Sequence, residues 1–230
     1  MTLGNHQPYF FPYLGYWQLM NATDVYVIAD NVQYSKKGYT NRNNILMNGN
    51  KHLISLEVMG VRLGMHINEV GVGNNAPKIL KTLMHTYKKA PYFDEVFPML
   101  ESILLNDEKN LAKYLGNSLE TVAGYLGIET RFIYESDLNV DPSLKLQTDI
   151  IPVICKMFNA DHFINAIGGQ ELYTKEGFLK KGLKLNFLQM GEIEYKQFKG
   201  EFVPNLSIID VMMFNTKDEI KEMLSRYTLI

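Results

Sequence analysis

Six of the twelve residues from His6 to Trp17 are aromatic, in a chain that is 12% aromatic overall. The run His6-Gln7-Pro8-Tyr9-Phe10-Phe11-Pro12-Tyr13-Leu14-Gly15-Tyr16-Trp17 sets an imidazole and a primary amide among large rigid rings. Rings offer contact area and the polar pair offers direction, a combination that suits a small-molecule pocket. The same residues would also serve as a buried aromatic anchor in which His6 is only hydrogen-bonded.

A second group runs from Asp30 to Asn43: Asp-Asn-Val-Gln-Tyr-Ser-Lys-Lys-Gly-Tyr-Thr-Asn-Arg-Asn. It gathers an acid, amides, hydroxyls and three cations after an apolar strand. Ligands of open α/β sheets collect beyond the carboxyl ends of strands. Arg42 could clamp a carboxylate or phosphate, and Asn41 and Asn43 could read hydroxyls or an amide. A solvated turn with asparagines capping the backbone has the same composition. A third group, Ile167-Gly168-Gly169-Gln170, follows an apolar strand, and paired glycines let backbone N–H groups approach a phosphate. It carries no Walker pattern and no G-x-G-x-x-G, so a plain strand-to-helix turn explains it equally.

Other side chains point away from chemistry. His66 and His85 are far apart, there is no Cys-x-x-Cys, and no metal site is expected. Cys155 is expected to be a buried thiol in an apolar helix, and one cysteine excludes an internal disulfide. Ser207 is expected to cap a helix, with Asp210 completing a loose capping box. The 23 basic and 25 acidic residues interleave to a net charge of -2, which excludes a nucleic-acid footprint. Residues 1–23 carry no Asp, Glu, Lys or Arg, but Pro8 and Pro12, with Asn5, His6, Gln7 and Gln18, interrupt the apolar run. Neither a signal peptide nor a spanning helix is expected, and the cytoplasm is the expected compartment.

These groups need elements to place them. Residues 1–5 are too short for periodicity to decide. A short helix is expected at 13–20, a strand at 24–30, and a hairpin joining 44–47 to 52–58 through Asn48-Gly49. A further strand is expected at 67–72. Helical spacing marks 76–88, 94–105, 107–126, 146–158, 172–181, 208–214 and 217–226, and strands are expected at 130–134, 162–167 and 183–189. Strand–helix alternation in the second half implies an α/β fold with a parallel or mixed sheet. Residues 1–230 are expected to form one such domain, with a helical insertion at about 76–127.

Together the motifs resemble the WbqC-like family of bacterial polysaccharide gene clusters. The matching pieces are His6-Gln7-Pro8 with Phe11-Pro12-Tyr13-Leu14-Gly15-Tyr16, Asp30-Asn31-Val32-Gln33-Tyr34, Asn41-Arg42-Asn43, Tyr87-Lys88-Lys89-Ala90-Pro91-Tyr92-Phe93, and Pro204-Asn205-Leu206-Ser207-Ile208-Ile209-Asp210. The family pattern usually has a second Asp where Asn31 stands and often Trp where Tyr39 stands. The resemblance implies a role in O-antigen synthesis, with glycine or aminoacyl transfer onto an amino sugar. A looser similarity, to HIGH-type nucleotidyltransferases, implies a Rossmann-like sheet. Tyr13-Leu14-Gly15-Tyr16 stands there in place of His-x-Gly-His, and tyrosine offers no cation to a triphosphate at neutral pH.

Acyl transfer to an amine needs a base, oxyanion donors and acceptor positioning. In that scheme His6 is the base, Asp30 orients it or the amine, and Asn41 and Asn43 donate to the oxyanion. Arg42 holds a phosphate or carboxylate, Tyr13 and Tyr16 stack on a sugar or base, and Gln7, Gln33, Tyr34, Gly168 and Gly169 complete the binding set. The expected ligand is a sugar or nucleotide sugar, the cofactor is left open, and a homo-oligomer is compatible with the chain. Nucleotide activation, or sugar binding without catalysis in a biosynthetic complex, remain alternatives.

Overall fold

The computed structural model describes residues 1–144 and 146–230. The chain runs β1 (Thr2–His6), α1 (Leu14–Asn21), β2 (Val25–Ile28), β3 (Arg42–Met47), β4 (Asn50–Ser55), β5 (Val58–Met59), β6 (Gly71–Val72), α2 (Ala76–Tyr87), α3 (Phe93–Leu104) and α4 (Leu111–Leu126). It continues through β7 (Arg131–Tyr134), α5 (Gln147–Met157), β8 (His162–Ala166), α6 (Lys175–Leu179), β9 (Lys184–Met190), α7 (Ile208–Phe214), α8 (Lys217–Ser225) and β10 (Tyr227–Leu229). No helix among the described residues is long and apolar enough to cross a membrane.

Six strands form one sheet in the order β10-β9-β8-β1-β2-β7, parallel except for β10. This is a Rossmann-like α/β arrangement. One apolar layer joins Leu3, Val25, Val27 and Phe163 to α5 and α6 through Ile151, Ile154, Cys155 and Phe178. The other face packs Tyr26, Ile28 and Ile164 under α1, α4, α7 and α8. Covered on both sides, the strands need apolar residues throughout rather than alternation. From β1 the chain steps to β2 and β7 on one side, and β8 and β9 lie on the other. The order therefore reverses between β1 and β8, the place where such sheets open a crevice.

The hairpin β3–β4 turns on Asn48 and Gly49, whose φ of 52° and 76° suit the expected tight turn. Three expected elements end differently. Over 67–72 only Gly71–Val72 is strand, and Ile67–Glu69 is a 3-10 turn. Helix α4 begins at Leu111, because the Lys109 carbonyl accepts from the Val72 N–H and Asn110 caps the helix by accepting from the Lys113 N–H. The expected helix over 172–181 shrinks to α6, capped by Thr174, after a 3-10 turn at Ile167–Glu171.

The loop between β1 and α1 carries Phe11 at φ 43°, a conformation that side chains rarely adopt. Its carbonyls are held from elsewhere. Asn43 Nδ2 donates to the Phe10 and Phe11 carbonyls at 3.2 and 2.8 Å, and Ser207 Oγ donates to the Phe11 carbonyl at 2.8 Å. Trp17 Nε1 and the Ile208 N–H both donate to the Pro12 carbonyl. Asn43→Ala should strip buried acceptors of their donor and cost about 2 kcal/mol. The exposed Asn50→Ala should change stability by less than ~0.5 kcal/mol. Urea denaturation of both variants checks this, and equal midpoints would show that the loop does not depend on Asn43.

Candidate functional site

The crevice at the sheet reversal is a real cavity. One part, of about 420 Å³, is lined by Asn5, His6 and Gln7 from the end of β1, by Asn165 and Ala166 from β8, and by Gly168 and Gly169 beyond it. A second part, of about 440 Å³, runs toward the ends of β2 and β7 past His66, Glu135 and Ser136. Val32, Gln33 and Gln147 line both, which makes them one cleft of a size suited to a small ligand.

The parallel register builds a row of amides across its floor. Asn165 Nδ2 donates to the Asn5 carbonyl at 3.3 Å, and Asn5 Nδ2 donates to the Val27 carbonyl at 3.3 Å. The row ends at Glu135, whose Oε2 lies 3.5 Å from Asn5 Nδ2, while Gln147 Nε2 sits 3.4 Å from its Oε1. Burial raises the Glu135 pKa above the usual carboxylate range, with the Asp30 charge adding to the rise and the amide hydrogen bonds opposing it. Gly169 has a steric role, since a Cβ there would run into the Asn165 side chain, whereas a Cβ on Gly168 meets nothing within 4 Å.

His6 stands at the end of β1 between rings, 4.8 Å from Tyr9 and 5.1 Å from Tyr16 by centroids, edge-on to both. Its Nδ1 lies 2.9 Å from the Gln7 carbonyl. A carbonyl only accepts, so Nδ1 carries the proton and Nε2 presents a lone pair. Burial lowers the His6 pKa, with the Gln7 carbonyl as the weaker opposing influence. The imidazole is therefore neutral at pH 7, the state a general base requires. Gln7 Nε2 donates to Tyr9 Oη at 3.2 Å, and Tyr16 Oη donates to the Gln7 carbonyl at 2.9 Å.

Of the residues singled out from the sequence, His6, Gln7, Gln33, Gly168 and Gly169 meet in this cleft. The others lie elsewhere. Asp30 does not reach the His6 ring, because its two oxygens accept from the Ser136 N–H and Oγ at 2.9 and 2.6 Å. Asn41 accepts from Tyr34 Oη and donates to the Leu56 carbonyl, and Asn43 holds the Phe10 and Phe11 carbonyls. Both amide nitrogens expected at an oxyanion are thus committed to backbone carbonyls. Arg42 begins β3 rather than lying in a loop, and its Nε donates to the Gly38 carbonyl. Tyr16 is buried beneath His6, while Tyr13 borders a separate hollow of about 330 Å³ with Tyr9, Tyr39, Asn43 and Asn205. Ser207 caps α7 as expected, but Asp210 turns away from it, accepting from Tyr87 Oη, Tyr195 Oη and Gln197 Nε2 at 2.8 Å each. Burial pushes the Cys155 thiol up to about 12, so it stays protonated.

Sequence reasoning missed Asn5, Asn165, Glu135 and Gln147. A signal existed for Asn165, an amide inside the short apolar run Phe163-Ile164-Asn165-Ala166-Ile167. Such a residue in a strand covered on both faces needs a partner or a ligand.

Comparison with known proteins gives a family match. The model of the WbqC-like protein family matches residues 7–222. A Mycobacterium tuberculosis protein, described only as uncharacterised, is 26% identical over 223 residues, covering 95% of each chain. No solved structure matches the chain significantly.

Two measurements check this geometry. Folded His6 refuses a proton that the unfolded chain accepts near pH 6.5, so its contribution to stability is present above that pH and is lost as pH falls below it. His6→Gln should lose less stability than wild type between pH 7.5 and 5 in denaturant titrations, and identical losses would place the imidazole in solvent. Gly169→Ala should cost about 1–3 kcal/mol through its clash with Asn165. Gly168→Ala should keep the wild-type melting temperature, which differential scanning calorimetry reads directly.

Proposed function

The chain belongs to the WbqC-like protein family, and from that premise we propose that the cleft between β1 and β8 is the active site of an acyl or aminoacyl transferase. Its acceptor is an amino sugar, free or nucleotide-linked, destined for surface polysaccharide. The observation that carries this reading is the neutral His6, with Nδ1 fixed on the Gln7 carbonyl and Nε2 left as an acceptor at the end of the central strand.

In this scheme the acceptor amine attacks the acyl carbonyl while His6 Nε2 takes the amine proton. The new C–N bond forms, the tetrahedral intermediate collapses, and the leaving group departs with the proton that the imidazole returns. Side-chain amides of Gln7, Gln33 and Gln147 supply donors for hydroxyls or for the oxyanion, in place of the Asn41 and Asn43 amides. Nucleotide activation is less well supported. No Lys or Arg lines the cleft among the described residues, and neither tyrosine of Tyr13-Leu14-Gly15-Tyr16 reaches it.

The test pairs turnover with binding. Purified protein is incubated with glucosamine and its nucleotide-linked form, and with acyl-CoA, amino acid plus ATP, or aminoacyl-tRNA as donor. Mass spectrometry then reads the acylated amine. His6→Gln should lose roughly 100-fold or more in turnover while keeping the ligand-induced thermal shift. A ligand at 100-fold its dissociation constant adds about 2.7 kcal/mol, which such a scan resolves. Full turnover by His6→Gln would remove the imidazole from the mechanism. Binding without product for every donor would favour a non-catalytic sugar-binding protein.

A further inference from the structure

We propose that Glu135 is the seat of a ligand's primary ammonium group, and that this ammonium stays protonated while His6 acts on a different nitrogen. The inference rests on the cleft reading above and adds the charge of what enters it. Glu135 follows β7, is 5% exposed, and lines the larger part of the cleft. It takes part in no ion pair among the described residues. Its donors, Asn5 Nδ2 and Gln147 Nε2, stand at the long limit of hydrogen bonding.

A second observation points the same way. Gln147 Oε1 is buried without any donor, and Gln147 lines both parts of the cleft beside Glu135. A donorless acceptor and a carboxylate held only by two long hydrogen bonds therefore stand side by side in a buried corner. Buried carboxylates ordinarily have a paired cation, and unpaired ones are costly. Asp30 close by adds to the deficit. A neutral hydroxyl would satisfy one acceptor and leave the charge uncompensated. An ammonium brings three N–H donors and the missing charge.

That ammonium belongs either to an aminoacyl donor or to a sugar that carries a second amine, and a mono-amine serves as a probe of the seat in both cases. Isothermal titration at pH 7.5 therefore uses two pairs: glucosamine with N-acetylglucosamine, and glycinamide with N-acetylglycinamide. In at least one pair the amine should bind roughly thirtyfold or more tightly than its acetylated form, the scale expected for a buried charge pair. Glu135→Gln keeps the shape, removes the charge and turns one accepting oxygen into a donor, so it should erase that preference while the acetylated form still binds. Gln147→Met removes the orphan acceptor together with the Nε2 donor to Glu135, leaves the carboxylate in place, and should shrink the preference without abolishing it; it carries the test if Glu135→Gln does not fold. Equal binding of amine and acetylated forms, or an undiminished preference in either variant, overturns the ammonium site and leaves the cleft reading standing. Heat from none of the four compounds overturns this site, whereas loss of both binding and turnover with the nucleotide-linked sugar overturns the cleft reading as well.

Discussion

Three consecutive carbonyls, on Phe10, Phe11 and Pro12, need donors where the chain leaves the central strand, and the molecule is arranged to supply them. The donors come from Asn43 on β3, Ser207 and Ile208 at the start of α7, and Trp17 on α1. Because these lie far apart in sequence, satisfying one short loop fixes how the hairpin, the first helix and the C-terminal helices meet. The φ of 43° at Phe11 would be unfavourable on its own and persists because the surroundings over-determine it. His6 and Gln7 open this loop, so its rigidity is also the rigidity of the imidazole.

A second buried centre ties the middle of the chain to the same place. Asp210 is fully buried, and burial raises its pKa against three opposing hydrogen bonds. Tyr87 at the end of α2 donates to Asp210 and accepts from the Leu46 N–H of β3. One carboxylate thus joins α2, the hairpin, the segment at Tyr195 and Gln197, and α7. Such an acid is stable only while every donor is in place. Tyr87, Asn43, Ser207 and Asp210, from the motifs on which the family resemblance rests, therefore brace the scaffold beside the cleft.

This separates what the sequence made legible from what it did not. Asn48-Gly49 announced the hairpin because positive φ is rare enough to be diagnostic. The strand β1 was silent because five residues buried on both faces show no periodicity. Asn41-Arg42-Asn43 looked like a ligand loop because amides around an arginine have the same composition in either role. Pairing with β4 and the demand of the Phe10 and Phe11 carbonyls decided between them. His6 and Gln7 were legible as the polar pair among the rings that follow them, and Gly168-Gly169 because it follows an apolar strand. Glu135 was not, since it meets Asn5, 130 residues away, only through the parallel register of β1, β2 and β7, and Gln147 joins it from the start of α5.

The composition of the cleft then limits what can occupy it. Its polar lining is mostly neutral amide, with the imidazoles of His6 and His66 and the carboxylates of Glu135 and Asp141; burial keeps His6 uncharged and disfavours Glu135 as an anion. A triphosphate would bring several negative charges to a wall that, among the described residues, offers no lysine or arginine, and would set them against Glu135. A sugar brings hydroxyls that amides can both donate to and accept from, at no electrostatic cost. The free lone pair on His6 and the unmatched Gln147 acceptor beside Glu135 lie along one continuous cavity. A ligand spanning it would meet a proton acceptor at one end and an anion at the other, which favours a molecule with a neutral nucleophile and a separate positive charge.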